Sequence, residues 1–252
     1  AKVFTGDGVY GTVHANVAEV NALAKLYLQN IGGFISSREA EDHLLRLNLA
    51  PARYVEKSFQ GDAAAMIRHV LRRALPGADD ADLLLAPSGM NAIFSAFRAS
   101  AEIQAKRVRT VWLQLGWLYL DTIAILKKFT TSAVDYVYIR DPLDFEAIER
   151  IFTQHGKRIA GVIAEVPTNP LIQTPDVPKL SALCRRHGAH LLIDPSIASI
   201  FNLNILEHSD AVVSSLTKYT ASEGDLTAGL IAINPASPDA AELLRLSVAA
   251  LE

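Results

Sequence analysis

Ala211-Val212-Val213-Ser214-Ser215-Leu216-Thr217-Lys218-Tyr219 reads as a buried strand that runs out into hydroxyls and a lysine. The apolar run is short and continuous, as in a strand covered on both faces, and polar residues begin where such a strand leaves the core. An amine beyond that tip, in a partly dry pocket, has a lowered pKa and becomes a nucleophile able to form a Schiff base with an aldehyde. Ser215 and Thr217 place hydroxyls on either side of Lys218, which suits a phosphate. Upstream, His190-Leu191-Leu192-Ile193 is a second apolar strand, closed by Asp194. An acid there is costly without a cationic or donor partner. Leu83-Leu84-Leu85-Ala86 is a third, and it enters Pro87-Ser88-Gly89-Met90 and then a helical pattern from Asn91. A Ser-Gly turn at a helix N-terminus offers free backbone N–H groups and the positive end of the dipole, which is a seat for phosphate.

Further outward the same alternation continues. Strands are expected at 83–86, 111–114, 134–139, 159–166, 190–194, 211–214 and 229–233, with helices at 90–105, 117–128, 144–155 and 176–187. This predicts an α/β fold: a mostly parallel seven-stranded sheet flanked by helices. Ligands of such sheets bind beyond the carboxyl ends of the strands. Asn169, Asp194 and Lys218 all fall near such ends. Residues 61–252 are expected to form this large domain, with a helix at 62–75 ended by Pro76-Gly77. Residues 1–60 read as an N-terminal helical arm: an amphipathic helix over 17–29, a break at Gly32-Gly33, and a second helix capped near Ser36.

A reactive lysine, a phosphate seat and an acid suited to a ring nitrogen together describe a site for pyridoxal 5′-phosphate (PLP), whose pyridinium an aspartate keeps protonated. Ser88-Gly89-Met90, Val166-Pro167-Thr168-Asn169-Pro170, Asp194 and Ser215-x-Thr217-Lys218-Tyr219 occur in the order found in the Cys/Met-metabolism PLP enzymes. Over residues 80–233 the chain resembles that family of cystathionine γ-synthases, cystathionine lyases and methionine γ-lyases, of PLP fold type I. The resemblance implies roles. Ser88, Gly89 and Met90 would hold the phosphate with Ser215 and Thr217. Asn169 would sit by the substrate carboxylate and cofactor. Asp194 would face the pyridinium, and Lys218 would carry the cofactor and act as base. Tyr119, in Tyr119-Leu120-Asp121-Thr122, stands where the family has a ring-stacking tyrosine in Tyr-Gly-Gly-Thr, with Trp117 as rival. Arg53 and Tyr54, near Lys57, are the nearest match to a family Tyr-x-Arg that reaches a neighbouring subunit's phosphate.

The chain also departs from the family. Pro195-Ser196-Ile197-Ala198 replaces Asn-Thr-Phe-Ala, and Ser222-Glu223-Gly224-Asp225 replaces Gly-His-Ser-Asp. The resemblance further implies a smaller C-terminal domain with an arginine for the substrate α-carboxylate. Residues 1–252, ending in the helix-like stretch around 240–245, do not contain it. What is implied is a cytoplasmic homodimer or homotetramer acting on a small amino-acid substrate of sulfur metabolism. The reaction would be γ-replacement on an O-acylated homoserine, or elimination of the cystathionine-lyase or methionine γ-lyase type. A non-catalytic PLP-binding domain is the reading of another class.

Composition narrows the alternatives. The 252 residues carry a net charge of −3 and no long basic run, so no nucleic-acid surface is expected. No apolar stretch approaches the ~20 residues that span a bilayer. The single cysteine, Cys184, lies at helical spacing from Leu180 and reads as a buried structural thiol. The seven histidines show no metal-ligand spacing, and no metal is assigned. A nucleotide-binding reading lacks both Gly-x-Gly-x-x-Gly and a Gly-Lys-Ser/Thr loop.

Overall fold

The computed structural model describes residues 2–6, 9–31, 37–55, 59–221 and 226–251. Contacts divide the chain into two compact units, Ala1–Gln60 and Gly61–Glu252. The expected break at Gly32-Gly33, the cap at Ser36, Lys57 and the stretch Ser222–Asp225 lie outside the described residues.

The first unit is not wholly helical. Strands β1 (Lys2–Gly6) and β2 (Val9–Val13) pair antiparallel, with Gly6 opposite Val9. The signal is Asp7-Gly8 between two β-prone runs, a strong hairpin dipeptide. Helices α1 (Ala18–Ile31) and α2 (Ser37–Arg46) follow where amphipathic helices were expected.

The second unit opens with α3 (Ala63–Arg72), capped by Asp62, whose side chain accepts from the Ala65 N–H. Seven strands then form one sheet: β3 (Leu83–Ala86), β4 (Val111–Leu115), β5 (Tyr136–Ile139), β6 (Ile159–Glu165), β7 (His190–Asp194), β8 (Ala211–Ser215) and β9 (Gly229–Ile233). Their order is β3-β9-β8-β7-β6-β4-β5. β9 runs antiparallel to both β3 and β8, and the remaining neighbours are parallel. The helices are α4 (Gly89–Ala105), α5 (Leu120–Phe129), α6 (Phe145–His155), α7 (Val177–His187) and α8 (Ala240–Leu251). The helix expected from 117 starts at Leu120 and the strand expected from 134 starts at Tyr136, because a 3-10 turn occupies 133–135.

Alternate residues of each strand feed two cores. Val111, Leu113, Leu191, Ile193 and Val212 pack with Leu71, Phe152, Leu180 and Cys184 on one face. Trp112, Ile163, Leu192, Ala211 and Val213 pack with Ile93, Phe97, Leu126 and Leu243 on the other. This double burial is why the strands read as continuous apolar runs rather than alternating ones. It also buries Cys184, and desolvation pushes its thiol above the usual range, as befits an inert packing residue.

At the amino edge of the sheet a polar chain ties three elements together. Ser100 Oγ lies 2.5 Å from His190 Nδ1, and His190 Nε2 lies 2.9 Å from Asp239 Oδ2. Arg107 grips Asp239 with two bonds of 2.6 Å. Ser100 is 0% exposed, so the Ser-His-Asp order here is a structural link between α4, β7 and the start of α8, not a nucleophile. The Arg107 hydrogen bonds hold the Asp239 carboxyl down at about 2 from its usual 3.8. A depressed acid contributes stability that is complete above the unfolded value and lost as pH falls through the folded one. Asp239→Asn is therefore expected to lower unfolding free energy by roughly 1–2 kcal/mol at pH 5–7, allowing for solvent screening. The gap to the parent protein should close between about pH 4 and 2 in urea titrations. A gap that stayed constant over that range would contradict the assignment.

Candidate functional site

The carboxyl ends of β6, β7 and β8 and the N-terminus of α4 converge on one region. Ser88, extended at φ −158° and ψ 161°, is the N-cap of α4, and its side chain accepts from the Asn91 N–H at 3.1 Å. The Gly89 and Met90 N–H groups are in the first turn and have no intrahelical acceptor by position. A Cβ on Gly89 would stand 2.6 Å from Ser215 Cβ, so only glycine lets the tip of β8 sit against this helix end. Gly229 on β9 plays the same part on the other side, where a Cβ would collide with the backbone of Ser88. The structure thus brings Ser88, Gly89, Met90 and Ser215 together as a seat with free donors and a positive dipole end.

Asp194 closes β7 beside this seat. Desolvation raises its carboxyl above the usual range, and a hydrogen bond from the Ser196 N–H at 2.9 Å opposes the rise. Ser196 is a residue whose part was not legible in the sequence. Its Oγ accepts from the Ser215 N–H at 2.7 Å, so one serine ties the acid to the anion seat. The link is made by a residue of Pro195-Ser196, where this chain departs from the Asn-Thr of the resemblance.

Other expected residues are placed differently. Thr217 has its hydroxyl engaged with Ala228, donating to the carbonyl at 3.3 Å and accepting from the N–H at 3.0 Å. That bonding knits the β8–β9 connection and directs the donor proton away from the phosphate seat. Lys218 is exposed, not in the partly dry pocket its position suggested. The reason is local: β8 ends at Ser215, and the Lys218 N–H bonds back to the Ser215 carbonyl at 3.3 Å, turning the chain out of the strand line. Asn169 is exposed in the turn after β6, and Tyr119, 54% exposed, is the N-cap of α5. In the first unit, Arg53 pairs with Asp42, and the Tyr54 N–H donates to Glu41 Oε1 at 2.6 Å. Both are therefore held by acids of α2 in this structure, and the Tyr54 ring is 74% exposed.

Glu165 is the second acid of the site and the more deeply buried one. It ends β6 in register with Asp194 on β7. It accepts a hydrogen bond from the Tyr119 N–H. Burial, then the nearby Asp194 charge, raise it to about 7. No His/Cys/Asp/Glu cluster fit for a metal ion exists among the described residues. The chemistry of the donor set fits a molecule with an anion at one end and a cationic ring nitrogen at the other. Backbone donors and Ser215 would meet the anion, and Asp194, half-buried and with no ion pair among the described residues, would meet the cation.

Residues 65–248 match the family described as Cys/Met metabolism PLP-dependent enzyme. The chain belongs to that family. Its cofactor is PLP, which is the group the donor set fits. Among curated relatives, the chain is 38% identical over 241 residues to L-2-amino-4-chloropent-4-enoate dechlorinase/desaturase of Streptantibioticus cattleyicolor, covering 96% of this chain and 48% of that protein. It is 32% identical to cystathionine gamma-synthase of Neurospora crassa over 66% of this chain and 27% of that one. The chain thus spans half or less of these relatives' length. In fold it is similar to cystathionine gamma synthase from Xanthomonas oryzae, with a TM-score of 0.59 and 19% identity over 80% of this chain and 50% of that one.

Proposed function

We propose that residues 61–252 are the PLP-binding large domain, and residues 1–60 the arm, of an enzyme that acts on a small α-amino acid with a leaving group on its γ-carbon. The observation that carries this reading is the joint placement of Asp194 and the Ser88–Met90 and Ser215 seat at the carboxyl edge of one sheet. PLP, when bound, supplies an electron sink for carbanions next to the amino group. The chain's own residues do the rest. The Gly89 and Met90 N–H groups and Ser215 fix the anionic end. Asp194 holds the ring nitrogen's proton. Lys218 Nζ would hold the cofactor through its aldehyde carbon and would serve as the base that takes the α-proton and returns it along the substrate chain. Tyr119 gives an aromatic face for orientation, worth ~0.5–1.5 kcal/mol beyond burial. Asn169 faces the substrate carboxylate.

Two outcomes share these residues: γ-replacement on an O-acylated homoserine, and elimination without an incoming nucleophile. The 38% identity over 96% of the chain to a dechlorinase/desaturase, whose named substrate carries chlorine on carbon 4, favours elimination. The test is to give the full-length protein O-acetyl- and O-succinylhomoserine with and without cysteine, and separately the 4-chloro amino acid. Cystathionine as main product establishes replacement; chloride or a 2-oxo acid without any thiol establishes elimination. No turnover of any of them, with PLP bound, would leave a binding domain and defeat the enzymatic reading. A cytoplasmic homodimer or homotetramer is part of the same proposal, supported by the family membership. Among the described residues no helix is long and apolar enough to cross a membrane.

Asp194→Ala should weaken PLP binding by about 10- to 100-fold, the worth of a hydrogen bond to a charged group. Fluorescence titration of the apoprotein measures it. Unchanged affinity would remove Asp194 from the pyridinium.

A further inference from the structure

An acid at position 165 is unexpected on physical grounds. It is the last residue of a strand buried along its whole length and is itself only 7% exposed. Its cross-strand neighbour is another acid, Asp194. Among the described residues neither forms an ion pair. A buried carboxylate beside a half-buried one costs free energy that glutamine or leucine would avoid. Something at this position must need an acceptor stronger than an amide.

That need lies in the two loops above it. The Tyr119 N–H donates to Glu165 Oε1, and the Asn169 N–H acts on the same carboxylate. Tyr119 is the N-cap of α5, at φ −53° and ψ 138°, so fixing its N–H fixes the direction in which its side chain leaves the backbone. The loops are also packed on each other. Gly116, at φ +67°, approaches Thr168 closely enough that a Cβ would sit 3.2 Å from its Cγ2. Thr168 in turn closes its own turn, its N–H donating to the Gln173 carbonyl at 2.9 Å and its Oγ1 accepting from the Gln173 N–H at 3.0 Å. Glu165, from the end of β6, reaches both loops.

We infer that Glu165 is a positioning residue that clamps the Tyr119 loop and the Asn169 turn in register beside Asp194, and so orients the Tyr119 ring and the Asn169 amide at the cofactor site. It touches neither ring nor substrate and acts through the two backbone N–H groups. The inference deepens the PLP reading and rests on it for its consequence, but the clamp exists without the cofactor. The Asp194 charge opposes ionisation of Glu165, and a cation bound at Asp194 relieves that opposition. Loading the site therefore tightens the clamp.

The test uses the full-length protein and Glu165→Gln. Glutamine keeps the size, but its oxygen accepts as a neutral group and its amide faces the second N–H with donors. In the apoprotein, hydrogen exchange at the Tyr119 and Asn169 amides should quicken by about tenfold or more, with the central strands unchanged. With PLP added, the circular dichroism of the bound cofactor in the visible should shrink and its dissociation constant rise by about tenfold. In a Tyr119→Ala/Asn169→Ala background the substitution should add little to the loss of affinity, because interacting residues are non-additive. Unchanged exchange at both amides overturns the clamp, and full additivity overturns its action through the two loops. Should Glu165→Gln not fold, Glu165→Asp, which keeps the charge but shortens the reach, is read in the same way. Wild-type protein that binds no PLP defeats the cofactor reading and with it the orienting role, while the exchange result still judges the clamp separately.

Discussion

In the Lys218→Ala variant, borohydride treatment of PLP-saturated protein is expected to leave no pyridoxyl group on the peptide containing residues 214–221, whereas the wild-type chain carries one there. The effect is all or none, since an amine is removed and no other lysine of the described second unit follows the β8 strand tip. PLP itself should still bind, held by the N-terminus of α4 and by Asp194, and its dissociation constant measures what remains. The exposed position of Lys218 sharpens this expectation. The amine is accessible, and its selectivity for PLP must come from the seat beside it rather than from its own burial. A wild-type adduct mapped to Lys127, Lys128 or Lys179 instead would overturn the assignment.

Gly229→Ala should have the second-largest effect, on stability and cofactor binding together. The added Cβ would fall on the Ser88 carbonyl group, 2.6 Å from its carbon and 3.0 Å from the Gly89 nitrogen. These are backbone atoms, and no side-chain rotation relieves the contact. Either β9 shifts against β3, breaking the Ala86–Gly229 register, or the start of α4 moves. Overpacking of this kind costs about 1–3 kcal/mol. Movement of the helix end also displaces the donors for the phosphate, so PLP affinity should fall by more than about tenfold, since hydrogen bonds to a charged group are worth ~1.5–3 kcal/mol. Gly11→Ala, where a Cβ meets nothing within 4 Å, is the control and should change stability by less than ~0.5 kcal/mol. Urea unfolding and PLP titration of both variants measure the two effects. Wild-type behaviour of Gly229→Ala would mean that the sheet and the helix end are not in the contact described.

Much of this protein was legible in the order of its residues. Runs such as Leu191-Leu192-Ile193 and Ala211-Val212-Val213 are apolar on both faces, and only a strand inside a three-layer α/β/α stack needs that. The polar residue ending each run, Asp194 or Ser215, marks where the strand leaves the core, so the carboxyl edge and its ligand chemistry could be placed from sequence. The reversed direction of β9 had a weaker signal: no helical pattern separates Lys218 from Gly229, so no crossover helix was available to return the chain for a parallel strand. The β1–β2 hairpin had one too, in Asp7-Gly8.

Other features follow from neighbours that are distant in sequence, and no local pattern records them. Thr217 reads as a phosphate ligand by spacing, yet its hydroxyl bonds to Ala228 because the β8–β9 connection folds back over it. Ser196 looks like a loop serine until it is seen joining Asp194 to Ser215. Glu165 reads as one polar residue in a buried strand; its meaning comes from Asp194 beside it and from the Tyr119 and Asn169 loops above. The sequence by itself determined the strand and helix periods, the buried faces and the residue types at the strand ends, since those depend on local hydrophobic pattern and backbone propensity. The tertiary structure alone decided which of those end residues share hydrogen bonds and charge, because a pair interaction exists only when the chain brings the two partners within a few ångströms.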